Sequence, residues 1–256
     1  MGALEGKVAI VTGAGRGLGR GISLALAKEG ASIGIAEIDA ATGQSTAAEI
    51  AALGVGSLAV ECDVRDRSKV ESTVEAVASQ FGGVDILVNN ATGARQEDAF
   101  RSMLEHTPEQ FERQLQVDVL GSFHFMRACH PHLRASGAGR VINLSSSAGT
   151  ERGAGFAAYS AAKEALRALT GVTAREWGRD AITVNSLCPV AVTDAMEEWF
   201  RRNPEIAEKQ LESVSLGRHG DPERDIGRVV VFLCGPDAGF ITGQTLWVDG
   251  GSVIHA

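Results

Sequence analysis

A chain of 256 residues with 44% hydrophobic and 22% charged content carries enough apolar material to bury a large core, and it reads as one α/β domain spanning residues 1–256. A formal charge of −8, with Lys and Arg dispersed among carboxylates, argues against nucleic acid or an anionic membrane as partner. The first apolar run is too short for a signal peptide or a membrane span, and Cys62, Cys129, Cys188 and Cys234 form no CxxC pair, so the expectation is a cytoplasmic protein with reduced, buried thiols.

The first strand is expected at residues 7–12, where VAIVTG is a near-continuous apolar run, as in a sheet covered by helices on both faces. Thr12-Gly13-Ala14-Gly15-Arg16-Gly17-Leu18-Gly19 follows directly and opens a helix over 18–29. Glycines between a strand and a helix let the backbone approach a pyrophosphate, and the helix N-terminus offers unpaired N–H groups to it. A second strand at 32–36 ends at Glu37, about twenty residues beyond the turn, where a carboxylate accepts the adenosine ribose hydroxyls and repels a 2′-phosphate. NAD is therefore favoured over NADP, with Arg16 as the residue that would pair with a phosphate.

Further along, a helix at 40–53, a strand at 57–61, a helix at 69–81 and a strand at 84–88 continue the alternation that builds a parallel sheet. Asp63 and Asn89-Asn90-Ala91 fall at strand carboxyl ends, where ligands of such sheets gather and where turn-forming residues are equally at home. Residues 93–107 are polar and read as a loop. His130-Pro131-His132 lacks a carboxylate or Cys at ligand spacing and reads as a helix end, so no catalytic metal is expected.

After a strand at 140–144, the run Ser145-Ser146-Ser147 closes the sheet edge, and Ser146 stands thirteen residues before Tyr159 with a hydroxyl able to polarise a carbonyl. Ser145 and Ser147 read as caps of the next segment. Tyr159 and Lys163 are four apart in an Ala-rich stretch and share one helical face. A phenol titrates near about 10 in water, and an adjacent cation favours phenolate, which brings proton transfer into reach. Tyr159 is the chain's only tyrosine. The serines lack the glycines of GxSxG, which sets a serine hydrolase aside. Strands at 182–187 and 245–248 complete the ladder, and 189–218 reads as irregular.

Together TGAGRGLG, NNA, Ser146, Tyr159-Ser-Ala-Ala-Lys163, Pro189 and ITGQTLWVDGG resemble the short-chain dehydrogenase/reductase family over almost the whole chain. The resemblance implies a doubly wound, Rossmann-like sheet of seven strands in order 3-2-1-4-5-6-7. It also implies that Ser146 holds the substrate oxygen, Tyr159 exchanges its proton and Lys163 also binds the nicotinamide ribose. It places Asp63 and Val64 at the adenine, Asn90 in the cofactor cleft, and Pro189 with Val192 at the nicotinamide carboxamide, and it implies a homotetramer.

Three positions depart from the family's pattern. Asp118 stands where Asn usually feeds a water to the lysine, so an altered pH dependence is expected; Thr92 replaces the glycine of NNAG, with Gly93 as its substitute. Pro189-Val190 replaces Pro-Gly, and the Thr expected five residues after the proline is Asp194, with Thr193 one step early. The reading is an NAD-preferring oxidoreductase of secondary alcohols and ketones, with substrate loops near 93–107 and 190–218. Its alternatives are an NADP-dependent 3-oxoacyl-thioester reductase and a cofactor-binding scaffold with weak catalysis.

Overall fold

The computed structural model describes residues 2–95, 98, 101–192 and 194–254. Seven strands, β1 (Val8–Thr12), β2 (Ser32–Glu37), β3 (Ser57–Glu61), β4 (Ile86–Asn89), β5 (Arg140–Leu144), β6 (Thr183–Pro189) and β7 (Thr245–Val248), pair in parallel in the order β3-β2-β1-β4-β5-β6-β7. The expected order is thus met. Parallel pairing forces a crossover between successive strands, and helices on both faces supply it.

Alternation along β1 shows how the two layers are served. Ala9 and Val11 point into a core with helix α1 (Gly17–Lys28), helix α2 (Ala40–Ala51) and, late in the chain, helix α10 (Arg228–Cys234). Val8 and Ile10 point into the other core, formed with helix α3 (Arg67–Phe81), helix α5 (Ser122–Ala135) and helix α7 (Ala157–Trp177). Phe125, Met126, Cys129 and Leu133 recur at helical spacing along α5 and are fully buried beneath the sheet. All four cysteines are buried and free, and burial pushes the Cys188 thiol up to about 11.

Local chemistry fixes the ends of these elements. Asp39 and Asp66 cap α2 and α3 by accepting two backbone N–H bonds each. Thr107 and Gln110 form a capping box at the start of helix α4 (Pro108–Leu115). Between α4 and α5 the backbone widens into a π-helical turn, Gln116–Gly121, and this turn carries Asp118 into the interior. Helix α6 (Ser147–Glu151) is a single short turn that leads into α7.

Two readings of the sequence need correction. The stretch expected to be irregular forms helix α8 (Asp194–Arg202) and helix α9 (Pro204–Ser213). Pro204 occupies a first-turn position that suits proline, and an Arg202–Glu198 ion pair links successive turns of α8. His130 and Pro131 lie inside α5 rather than at its end, where His130 meets Asp180 at 3.0 Å and packs on the Trp177 ring.

Candidate active site

The carboxyl ends of β1 and β2 build one half of the site. Gly13 leaves β1 with φ of +62°, and a Cβ there would stand 2.9 Å from the Ala91 Cα. A Cβ on Gly19 would lie 2.3 Å from the Gly13 carbonyl oxygen, so the turn closes only around bare glycine. Arg16 occupies the N-cap of α1 with no side-chain cap, and no acidic residue stands in the first turn. These uncapped N–H groups beside a close backbone are the cradle a pyrophosphate requires, so the residues fit a dinucleotide. Gly19→Ala is expected to lower the thermal midpoint and weaken NADH binding together, an overpacking cost of about 1–3 kcal/mol read by calorimetry and fluorescence titration.

Glu37, at the end of β2, leans over this turn: its carboxylate accepts from the Gly15 N–H at 2.9 Å and the Asp39 N–H at 3.1 Å. Gly17 and Leu18 begin α1 beside it, while Arg16 is exposed. Asn90 serves the turn in a different way. Its side-chain amide donates to the Thr12 and Gly13 carbonyls at 2.9 Å each, and the Thr12 hydroxyl accepts from its backbone N–H. Asn90 therefore ties β4 to the glycine turn.

The sites expected at the adenine take a different form. Asp63 is gripped by Arg65 through three side-chain bonds, which together with the Arg65 backbone N–H hold its carboxyl below the usual range. The Val64 side chain is 6% exposed and packs in the α5 core, which leaves only its backbone for contacts outside that core. At the other end, Pro189 closes β6 beside Val248, and the Val192 N–H donates to Gly220 at 3.1 Å, leaving the carbonyl as that residue's main-chain offer. Thr193 lies outside the described residues. Val190 is absorbed by the sheet edge, its N–H donating to Val248 at 3.0 Å.

The second half of the site hangs on β5 and α7. Tyr159 is half-buried in the wall of an open cleft, which Ala94, Gln114, Phe156 and Ala158 also line. Lys163, 3% exposed, sits one turn later with its ammonium 5.4 Å from the centre of the Tyr159 ring. Ser146 caps α6, its hydroxyl accepting from the Ala148 N–H at 3.2 Å. The cap of α6 is thus Ser146, the candidate catalytic serine, where Ser145 or Ser147 was expected to cap. Ser145 instead donates to the Lys163 carbonyl at 3.0 Å, and Ser160 donates to Ala148 at 2.8 Å, so α6 and α7 are pinned together around the site. Accepting a cap bond leaves the Ser146 hydroxyl proton free to donate.

Asp118 is fully buried and pairs directly with Lys163, Oδ2 to Nζ, at 2.9 Å. The ammonium also donates to the Leu144 carbonyl at 2.8 Å. Burial by itself pushes the ammonium down, but attraction to Asp118 and then to Tyr159 outweighs it and holds Lys163 above the usual lysine range. The carboxylate has two further donors, the Gly93 N–H at 2.7 Å and the Thr92 hydroxyl at 3.1 Å. The bare Cα of Gly93 lets α4 come close, since a Cβ would meet the Arg113 carbonyl at 2.9 Å. Gln114 had no role in the sequence reading, although it stands four residues before Asp118, the same spacing that joins Tyr159 to Lys163.

Comparisons with known proteins bear on the family and the fold. A family model described as enoyl-(acyl carrier protein) reductase matches residues 13–253. The chain is 39% identical over 258 residues to a 12α-hydroxysteroid dehydrogenase from Clostridium sp., covering 98% of each chain. It superposes on a 7α-hydroxysteroid dehydrogenase complexed with NADH and 7-oxo glycochenodeoxycholic acid with a TM-score of 0.89 at 32% identity, over 97% of this chain and 94% of that one. A 3-ketoacyl-(acyl-carrier-protein) reductase from Brucella melitensis, complexed with NADH, gives a TM-score of 0.88 at 34% identity over 98% and 100%.

Proposed function

The chain belongs to the short-chain dehydrogenase/reductase family, and we propose that within it the chain is an NAD-preferring dehydrogenase or carbonyl reductase whose catalytic groups are Ser146, Tyr159, Lys163 and Asp118. As an oxidoreductase of this family it acts on CH–OH and C=O groups. One observation carries the assignment of residues: the only phenol of the chain lines a cleft at the carboxyl edge of the sheet with a buried ammonium 5.4 Å from its ring.

The Ser146 hydroxyl, with one lone pair taken by the helix cap, donates its proton to the substrate oxygen and polarises it. Tyr159 gives its phenolic proton to the forming alkoxide in reduction and takes it back in oxidation. Lys163 has three N–H donors, of which Asp118 and Leu144 hold two, leaving one for the phenol side of the site and for a ribose hydroxyl. A bound nicotinamide dinucleotide supplies or accepts the hydride. Gly13, Gly15, Arg16, Gly17, Leu18 and Gly19 would hold its pyrophosphate, Glu37 its adenosine ribose, and Asp63, the Val64 backbone, Asn90, Pro189 and Val192 the remaining contacts.

Glu37 supports NAD over NADP, because its carboxylate over the glycine turn is the wrong charge for a 2′-phosphate. Glu37→Gln keeps an oxygen for the Gly15 N–H and removes the charge, so NADPH affinity is expected to rise about tenfold or more with little change for NADH. Fluorescence titration of both nucleotides measures it, and an unchanged NADPH affinity would remove Glu37 from the discrimination.

Ala94, Phe156 and Ala158 give the cleft an apolar wall, which suits a bulky hydrophobic alcohol or ketone, the substrate type named in the hydroxysteroid relatives. The segments at 93–107 and 190–218 would set that choice. No helix among the described residues is long and apolar enough to cross a membrane, and a cytoplasmic homotetramer belongs to the same proposal. A panel of steroid ketones and 3-oxoacyl thioesters, followed by NADH and NADPH absorbance, tests the substrate reading. Oxidation of NADPH by thioesters alone would replace it with the thioester reductase, and no oxidation by any carbonyl would leave a scaffold.

A further inference from the structure

Thr92 and Asp118, two of the positions that depart from the family's pattern, touch each other across 26 positions of chain. The contact is one link in a continuous chain of polar groups. Gln114, 4% exposed and part of the cleft wall, donates through Nε2 to the Thr92 hydroxyl at 3.3 Å. The Ala94 N–H reaches the same hydroxyl at 3.2 Å. With its lone pairs taken by these two donors, the Thr92 oxygen has one role left, which is to give its proton to Asp118 Oδ2. That is the same carboxylate oxygen that holds the Lys163 ammonium at 2.9 Å.

We propose that Thr92, oriented by Gln114 from the cleft wall, is a positioning residue for the active site: its hydroxyl fixes the Asp118 carboxylate and thereby the place and charge of Lys163. The inference rests on Lys163 and Tyr159 acting as proposed above. A buried carboxylate has four lone-pair sites, and an ill-satisfied one rotates to find partners. Here Oδ1 is held by the Gly93 N–H and Oδ2 by Thr92, so the plane of the carboxylate is set before the ammonium arrives. Three titratable groups act on Lys163: Asp118 from the π-helical turn, Tyr159 from its own helix and Cys188 from β6. Only Asp118 has a hydroxyl from the cleft loop holding it.

The test is a double-mutant cycle of Thr92→Val with Asp118→Asn, read in two ways. The first reading is the alkaline limb of kcat for a ketone that the wild-type chain reduces with NADH. Thr92→Val is expected to lower kcat about five- to twentyfold and to move that limb to lower pH by about 0.5–1 unit, the size of one hydrogen bond to a charged group. In the Asp118→Asn background the same change is expected to move neither. The second reading needs no cofactor: the thermal midpoint of the unliganded chain between neutral and alkaline pH is expected to show the same non-additivity. Thr92→Ser, which keeps the hydroxyl, is expected to restore the wild-type limb and midpoint, and Thr92→Ala stands in if the valine variant does not fold. A limb left in place by loss of the hydroxyl, an equal effect in both Asp118 backgrounds, or a serine variant that behaves like valine would each overturn the proposal. The unliganded midpoints keep their meaning if Tyr159→Phe proves active, so failure of the catalytic assignment and failure of this inference are told apart.

Discussion

Tyr159→Phe is expected to lower kcat by about 10³-fold in either direction while leaving NADH binding and the thermal midpoint close to wild type. Removing a single oxygen at the wall of an open cleft creates no cavity, and the ring keeps its place over α7. The Lys163–Asp118 pair and the Leu144 bond do not involve the phenol oxygen, so the buried charges stay satisfied. The chemistry does not survive as easily. No second tyrosine exists to take over, and water cannot reproduce a positioned acid beside a fixed ammonium. The residual rate would come from binding and from the Ser146 hydroxyl alone. Steady-state kinetics on the best ketone of the panel, with NADH titration as control, decides the matter. Turnover within a few-fold of wild type would remove Tyr159 from the mechanism, whereas joint loss of turnover and NADH binding would point to a damaged fold.

The sheet was legible because a strand buried on both faces leaves a run of β-branched residues that no helix face would carry, and VAIVT, ILVN and RVINL are such runs. Tyr159 and Lys163 were legible for a similar reason, since helical spacing alone puts them on one face. Helices α8 and α9 were not, because short, highly charged helices present too few apolar residues to mark a period. The inward turn of the Val64 side chain depends on α5 packing over it, where Gly121 leaves the room, and nothing near Val64 in sequence announces that. Ser146 as the cap of α6 follows from its extended backbone, φ of −158°, at the exit from β5, where Ser145 and Ser147 are compositionally identical rivals. Asp118 showed as a departure, but the bond to Thr92 joins a loop to a helix turn, and sequence carries no spacing rule for such a contact.

Asp118→Asn is expected to cost about 3–5 kcal/mol of stability near neutral pH, far more than the single-atom change suggests. The amide keeps the shape and one acceptor for the Gly93 N–H, but it leaves the Lys163 ammonium inside the protein with no counter-charge. The sign of the pH dependence separates the two proteins. In the wild-type chain the lysine is held above its ordinary range, so its contribution is complete below about pH 10, the unfolded value, and is lost as pH rises through the folded one. In the variant burial is left without Asp118 to oppose it, the folded value falls below the unfolded one, and stability rises with pH in that interval. Opposite slopes of chemical denaturation midpoint against pH are therefore expected, and parallel slopes would show that the pair does not control the charge of Lys163. The alkaline limb of kcat is expected to move to lower pH with the lysine; a profile matching wild type would end the argument for an altered pH dependence. The double change Asp118→Leu with Lys163→Met fills the space with apolar atoms and is expected to recover most of the stability, as replaced buried pairs commonly do, with none of the activity. Stability regained without turnover would place the reason for this buried pair in the chemistry of the site and not in the folding of the sheet.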